Sequence, residues 1–203
     1  MPVRRIHTIG YATKSIDAFV AQLRSHAIDV VADIRSVPYS NYYQDFRQET
    51  LRNHLRQQAL DYVYLGRELG PRSPEPAHYD AQGQVQYERL RQSDVFAAGI
   101  RRLEQGLAKG FGIALMCAEK DPLHCHRSLL VAHHLQRMHS SNPDVPLEIC
   151  HILHDGSLET QDQLEQRLVD EQAIPADLFS TDGSAYDTAY RHQTARTAWR
   201  KPG

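Results

Sequence analysis

Through its first 155 residues the chain alternates short apolar runs with segments of helical period, and few folds accept that alternation. An α/β domain on a mainly parallel sheet does. Residues 5–10 read as a first strand, and behind Ser15, a good N-cap residue, Ile16, Phe19, Val20, Leu23 and Ala27 fall at helical spacing. Residues 29–34 supply a buried second strand through Val30, Val31 and Ala32, and a helix carrying Leu51 and Leu55 precedes a third strand at 61–65. Between them, residues 36–47 hold Pro38, Ser40, Asn41 and three tyrosines without a period, which reads as a loop. Residues 66–83, with Pro71, Pro74 and Pro76, form a long irregular stretch of the kind that is functional or mobile in compact domains. Phe96, Ile100, Leu103 and Leu107 then mark an amphipathic helix closed by Lys109-Gly110. The continuous apolar run 112–117 has the look of a central parallel strand, a helix is expected from 124–128 to about 139, and 147–153 is a last strand.

The expected class is therefore α/β, a mainly parallel sheet flanked by helices in three layers with a Rossmann-like or rhodanese-like layout. The domain spans 1–155, and 156–203 form a C-terminal helical extension packed on it, with Leu164 and Leu168 on one helix and Tyr186, Tyr190 and Trp199 on a second. The 23 Lys and Arg nearly balance the 25 Asp and Glu, but the sum hides a reversal. Residues 141–182 carry ten acidic groups and one basic one, while 183–203 carry four basic groups against Asp187. Four charges make a weak electrostatic footprint for nucleic acid. No apolar run approaches the roughly 20 residues that span a bilayer, and the first residues lack a secretory pattern, so a cytoplasmic protein without a membrane partner is expected. Three cysteines are too few for a disulfide framework and read as thiols.

In open parallel sheets ligands bind beyond the carboxyl ends of the strands. Those ends carry Gly10-Tyr11, then Asp33 and Arg35, then Cys117-Ala118-Glu119. Arg127 stands at the start of the next helix, where free N–H groups favour an anion, and with Arg35 it could clamp a phosphate or carboxylate. Gly10, Tyr11, Arg35, Ser40 and Arg127 are thus the expected anion-binding residues. Asp33 or Glu119 would serve as acid or base, Cys117 or Cys125 as nucleophile or redox thiol, and His126 as a histidine partner. The rival is a structural Asp33–Arg35 ion pair and a Cys117 that merely fills the core. No metal ligand is assigned: seven residues separate Cys117 from Cys125, longer than zinc-ribbon spacing, and adjacent His124, Cys125 and His126 cannot all face one ion from a helix. No cofactor is required, zinc or iron chemistry on the Cys/His cluster being an alternative.

The string Met-Cys-Ala-Glu-Lys-Asp-Pro-Leu-His-Cys-His-Arg at 116–127 resembles the family catalogued as domain of unknown function 488. Thr-Ile-Gly-Tyr at 8–11, Asp-Ile-Arg-Ser-Val-Pro-Tyr-Ser at 33–40, Leu-Gly at 69–70 and His-Ile-Leu-His-Asp-Gly at 151–156 are similar to the same bacterial and archaeal family. Two departures stand out: Asn41 follows Ser40 where the family commonly has Arg, and Thr160-Gln161 stands where many members place a histidine. A looser likeness in layout joins the Asp-x-Arg strand end and the Cys-to-Arg loop to rhodanese-like and related phosphatase domains, although nine residues here lie between Cys117 and Arg127.

The reading that follows is a small enzyme, a hydrolase or transferase rather than an oxidoreductase, acting on an anionic small molecule or nucleic-acid component. The alternatives are a binding module working through Tyr39, Tyr42, Tyr43 and the arginines, and a metal-dependent enzyme. A homodimer is compatible with the sequence.

Overall fold

The structure, a computed structural model, describes residues 4–141, 146–173 and 183–202. Its elements in chain order are β1 (Arg4–Gly10), α1 (Ile16–Ser25), β2 (Val30–Asp33), α2 (Gln48–Gln57), β3 (Asp61–Tyr64), α3 (Gly66–Leu69), α4 (Tyr87–Arg91), α5 (Asp94–Ala108) and β4 (Ile113–Cys117). There follow a π-helical segment (Arg127–Ala132), α6 (His133–Ser140), β5 (Leu147–Ile152), β6 (Leu158–Thr160), α7 (Gln161–Glu171) and α8 (Gly183–Thr197). The strands form one six-stranded sheet in the order β3-β2-β4-β1-β5-β6. All pairings are parallel except β5 with β6.

Strands β2 and β4 are buried along their whole length, as apolar runs covered on both faces are, and the one charged residue among them, Asp33, stands at the end of β2. The faces separate along β4. Ile113, Leu115 and Cys117 join the core under α5, α6 and α7, whereas Ala114 and Met116 join the core under α1 and α2. The layers are therefore helix, sheet, helix. Strands β1 and β4 are neighbours, yet the helix after β1 covers one face and the helical segment after β4 covers the other. The chain thus turns opposite ways from two adjacent strand ends, which opens a crevice there.

Local signals set most boundaries. Ser15 accepts a hydrogen bond from the Ala18 N–H and starts α1. The helix stops at Ser25, and Ala27, at first counted on its apolar face, lies beyond it with φ of 51°. The stretch 66–83 includes the short α3 and a 3₁₀ turn at Pro76–His78. The expected helix from 124 begins instead as a 3₁₀ turn, Pro122–His124, an extended Cys125 and the π-helical segment. Beyond residue 155 the sheet continues through β6, an antiparallel edge strand too short to read from pattern. Leu164, Leu168, Ala189, Tyr190 and Ala198 share one core with the sheet. Residues 142–145 and 174–182 of the acidic stretch lie outside the described residues.

Two buried histidines give the fold an acid limit. His151 sits between Thr8 Oγ1 and Gln161 Oε1, each at 2.8 Å from a ring nitrogen, and His133 accepts from Arg91 Nη2 at 3.0 Å while stacking on Tyr190. Burial first, then nearby arginines, push both pKa values down to about 3. The unfolded histidine has a pKa of ~6.5, so between that value and the folded one the unfolded chain binds more protons. Stability is therefore full above pH ~6.5 and falls with acid, by up to about 1.4 kcal/mol per pH unit per histidine. In urea unfolding between pH 7 and 4.5, His133→Phe, which keeps a ring against Tyr190, is expected to reduce that slope by one histidine's share. An unchanged slope would contradict the assignment.

Candidate active site

The crevice at the β1 and β4 ends holds the motif loop. After Cys117 the chain is tied back to β1, with the Tyr11 N–H donating to the Cys117 carbonyl at 3.1 Å and the Ala12 N–H to the Ala118 carbonyl at 2.9 Å. Gly10 lies under this loop. A Cβ at position 10 would overlap the Glu119 carbonyl oxygen and come within 2.9 Å of Arg127 Nη1. Arg127 closes the loop from inside, donating through Nη1 to the Glu119 carbonyl at 2.6 Å and through Nη2 to the Lys120 carbonyl at 3.2 Å. It is 0% exposed. Asp121 caps the 3₁₀ turn by accepting from the Leu123 N–H, and Arg167 on α7 pairs with the same carboxylate.

Within this frame Cys117, Glu119, Cys125 and His126 converge. The Cys117 thiol donates to Glu119 Oε2 at 2.8 Å, and Cys125 Sγ lies 3.0 Å from the same oxygen. His126 Nδ1 is 3.6 Å from Cys117 Sγ and 3.9 Å from Cys125 Sγ. Its Nε2 donates to the Ile34 carbonyl at 2.9 Å, since a carbonyl oxygen can only accept. The backbone explains how neighbours 125 and 126 both face inward: Cys125 is extended, with φ of −131° and ψ of 140°, and the helical segment begins only after His126. His124 stays outside the cluster, so the three adjacent residues do not all face one point, but Cys125 and His126 do because no helix runs through Cys125.

The electrostatics follow from the crowding. Burial pushes the Cys117 thiol well above its ordinary value, reinforced by Cys125 and Glu119. Burial opposes ionisation of Cys125 too, but the neighbouring Cys117 thiol, the charge of Arg127 and His126 outweigh it and bring the thiol down to about 6. Burial works against the Glu119 carboxylate, yet His126 and the two cysteines hold it below the usual range. His126 is raised: Cys125 and Glu119 overcome the cost of burying its charge.

The second strand end supplies Arg35. Its Nη2 pairs with Asp33 Oδ2 at 2.6 Å and its Nε with Oδ1 at 2.9 Å, while the Tyr62 hydroxyl donates to Oδ2 at 2.7 Å. Asp33 is fully buried and spends its oxygens on these contacts, so it positions Arg35 and does not reach the cavity as an acid or base. Arg35 lies over the Tyr11 ring, and its Nη1 is buried without a hydrogen-bond partner. Burial works against the Arg35 charge, but the Asp33 pair keeps its pKa above the ordinary arginine value.

A cavity of about 280 Å³ joins the two groups. Of the sequence-derived residues, Tyr11, Arg35, Cys117, Glu119 and His126 line it, with Cys125 directly behind Glu119. Three expectations change. Arg127 is no anion clamp, because both terminal nitrogens are taken by the loop carbonyls. Gly10 provides close approach for that loop. Ser40 accepts from the Tyr43 N–H and shapes its own turn. Of the loop tyrosines, Tyr39 lines the cavity, Tyr43 packs edge-on to Tyr11, and Tyr42 is 92% exposed. With Asn41 in place of an arginine, Arg47 supplies the loop's cation, lying over Tyr39 and donating to the Ser40 carbonyl.

Sequence reasoning missed Arg72, Tyr87, His124 and Trp199 as lining residues. Arg72 sits over the Trp199 ring at 5.1 Å, so the irregular stretch and the C-terminal end meet at the site. The three prolines around Arg72 were the available signal. A larger groove of about 1160 Å³ lies between α4, α6 and α8, lined by Arg91, His133, Arg137, Asp187 and Arg191 among others. No group of three or more metal-ligating side chains other than Cys117, Glu119, Cys125 and His126 occurs among the described residues.

Fold and site together define an α/β protein with a thiol, carboxylate and imidazole cluster at a carboxyl-edge crevice. The family model described as "Domain of unknown function DUF488" matches residues 15–133, and the chain belongs to that family. No curated protein matches it. Among solved structures it is similar to a Shewanella putrefaciens CN-32 protein described as "Putative phosphatase (DUF442)", at 12% identity, a TM-score of 0.42, and coverage of 96% of this chain and 89% of that one. A likeness at that level carries no argument about activity. No helix among the described residues is long and apolar enough to cross a membrane.

Proposed function

We propose that the chain is an enzyme, a hydrolase or transferase, that takes an anionic substrate of mononucleotide size or smaller into the cavity between Arg35 and the Cys117–Glu119–His126 wall. The observation that carries this reading is Arg35: a guanidinium held by Asp33 that lines a cavity whose other wall is reactive, its Nη1 buried without a hydrogen-bond partner. A buried unpartnered cationic N–H is costly and is relieved by an anion. Arg72 adds a second guanidinium, and Tyr11, Tyr39, Tyr87 and Trp199 offer ring faces for a planar group such as a nucleobase. The volume, about 280 Å³, sits at the small end of ligand sites. Glu119, at the exposed mouth, is placed to accept or return a proton, and Asp33 and Tyr62 are positioning residues.

The test is calorimetric titration with inorganic phosphate and with a nucleoside monophosphate. Arg72→Gln, on an exposed loop the core does not need, is expected to weaken both by about 10-fold or more, the worth of one charge-assisted hydrogen bond. Arg35→Gln combined with Asp33→Asn, which removes the buried charge pair together, is expected to weaken them by about 100-fold. Affinities unaffected by either change would overturn the reading.

A further inference from the structure

We propose that Cys117, Cys125, His126 and Glu119 form a binding site for one thiophilic divalent cation, with zinc the ion whose chemistry fits best. The four ligand atoms lie within 4.8 Å of one another. Zinc bonds of ~2.3 Å to sulfur and ~2.0–2.1 Å to nitrogen at tetrahedral angles imply a sulfur-to-nitrogen edge of about 3.5–3.6 Å. The distances from His126 Nδ1 to the two sulfurs, 3.6 and 3.9 Å, are close to that edge. The carboxylate stands nearer to the sulfurs, at 2.8 and 3.0 Å, and would withdraw by roughly half an ångström. Glu119 is the one member of the cluster on an exposed residue, so its side chain can shift more readily than the three buried ligands.

Three further features support the assignment. The His126 ring is oriented by its Nε2 bond to the Ile34 carbonyl, the arrangement that fixes metal-binding histidines and leaves Nδ1 for the ion. The cluster packs two thiols and a carboxylate against one another while the Arg127 guanidinium spends both terminal nitrogens on backbone carbonyls. A divalent cation neutralises that crowding. The donor set of two sulfurs, an imidazole and a carboxylate selects zinc or another soft-tolerant transition ion over magnesium or calcium. Binding leaves two thiolates and a neutral imidazole around the ion, and whatever protons the two sulfurs and His126 Nδ1 hold in the metal-free cluster pass to solvent. Three ligands come from buried positions and the fourth from the cavity mouth, so a substrate in the cavity could displace Glu119 and meet the ion, the open position that catalytic zinc sites keep. This last consequence rests on the anion-cavity reading; the metal site itself does not.

The experiment titrates the reduced, metal-free full-length chain with Zn²⁺ against a chromophoric chelator, and then with Co²⁺. One ion per chain is expected, with a cobalt spectrum showing a thiolate charge-transfer band and the visible bands of tetrahedral coordination. Cys117→Ser and Cys125→Ser, close in shape, should each weaken zinc by more than the 10- to 100-fold that outer-shell changes cost. Glu119→Gln should weaken it less and keep the charge-transfer band, and His192→Ala, at an exposed position on α8 outside both the cavity and the cluster, should bind as the unaltered chain does. Zinc held no tighter than by the double Cys117→Ser, Cys125→Ser variant, or a cobalt complex without the charge-transfer band, would overturn the proposal. Phosphate titration of the metal-free chain keeps the two readings apart: if zinc fails while phosphate still depends on Arg35 and Arg72, only the metal site falls, and the reverse pattern removes only the anion cavity.

Discussion

Replacing Arg127 with methionine is expected to destabilise the protein by about 3–5 kcal/mol. Methionine matches much of the side chain's length and removes every donor. The Glu119 and Lys120 carbonyls, now held at 2.6 and 3.2 Å, would lose their partners, and the loop carrying Glu119 would come free of the core. Each bond from a charged donor contributes roughly 1.5–3 kcal/mol net, which sets the scale. Arg127→Lys keeps the charge but lacks the planar fork that reaches two carbonyls at once, so less than half of the loss should be recovered. Urea unfolding measures the stability and zinc titration the site, and both should fall together. A methionine variant of unaltered midpoint would show that Arg127 does not hold the loop.

Gly10→Ala should have an effect of similar size from a single methyl group. The new Cβ would overlap the Glu119 carbonyl oxygen, part of a backbone pinned by the Ala12 N–H bond to Ala118 and by Arg127. Neither strand can yield, because Gly10 is in register with Cys117 in the centre of the sheet. Forced overpacking costs about 1–3 kcal/mol where side chains adjust and more where backbone must move, so 3 kcal/mol or above is expected. For a domain near this size that lowers the melting temperature by roughly 6–12 °C. Differential scanning calorimetry checks it, and a variant melting within a degree or two of the unaltered protein would contradict the close approach.

The sequence carried the site's location further than its wiring. Apolar runs and the carboxyl-edge rule lead to Tyr11, Arg35, Cys117 and Glu119, and the motif between Cys117 and Arg127 adds His126; all five line the cavity. The rule works because strand ends are local features, and a parallel sheet gathers them at one edge. Arg127 was misread for a physical reason: an arginine inside a chemical motif looks the same whether it faces a ligand or a backbone carbonyl, and only the path of the loop decides. That path turns on an extended Cys125 between a 3₁₀ turn and a π-helical segment, which no hydrophobic period reports. The same hidden turn lets Cys125 and His126 face one point and favours the metal alternative that helical geometry weighs against. Arg72 and Trp199 come from segments more than a hundred residues apart, and their meeting is long-range packing without a local signal. Gln161 and Thr160, where many family members place a histidine, hold His151 and cap α7 instead.

An anion is expected to bind beside the Cys117–Glu119–His126 wall and not in the larger groove between α4, α6 and α8. Diffraction from crystals of the reduced chain soaked in a nucleoside monophosphate tests it most directly. Phosphate density is expected within hydrogen-bond reach of Arg35 or Arg72, next to Glu119 and His126. Phosphate seated against Arg91, Arg137 and Arg191, with none in the cavity beside Cys117, would contradict it.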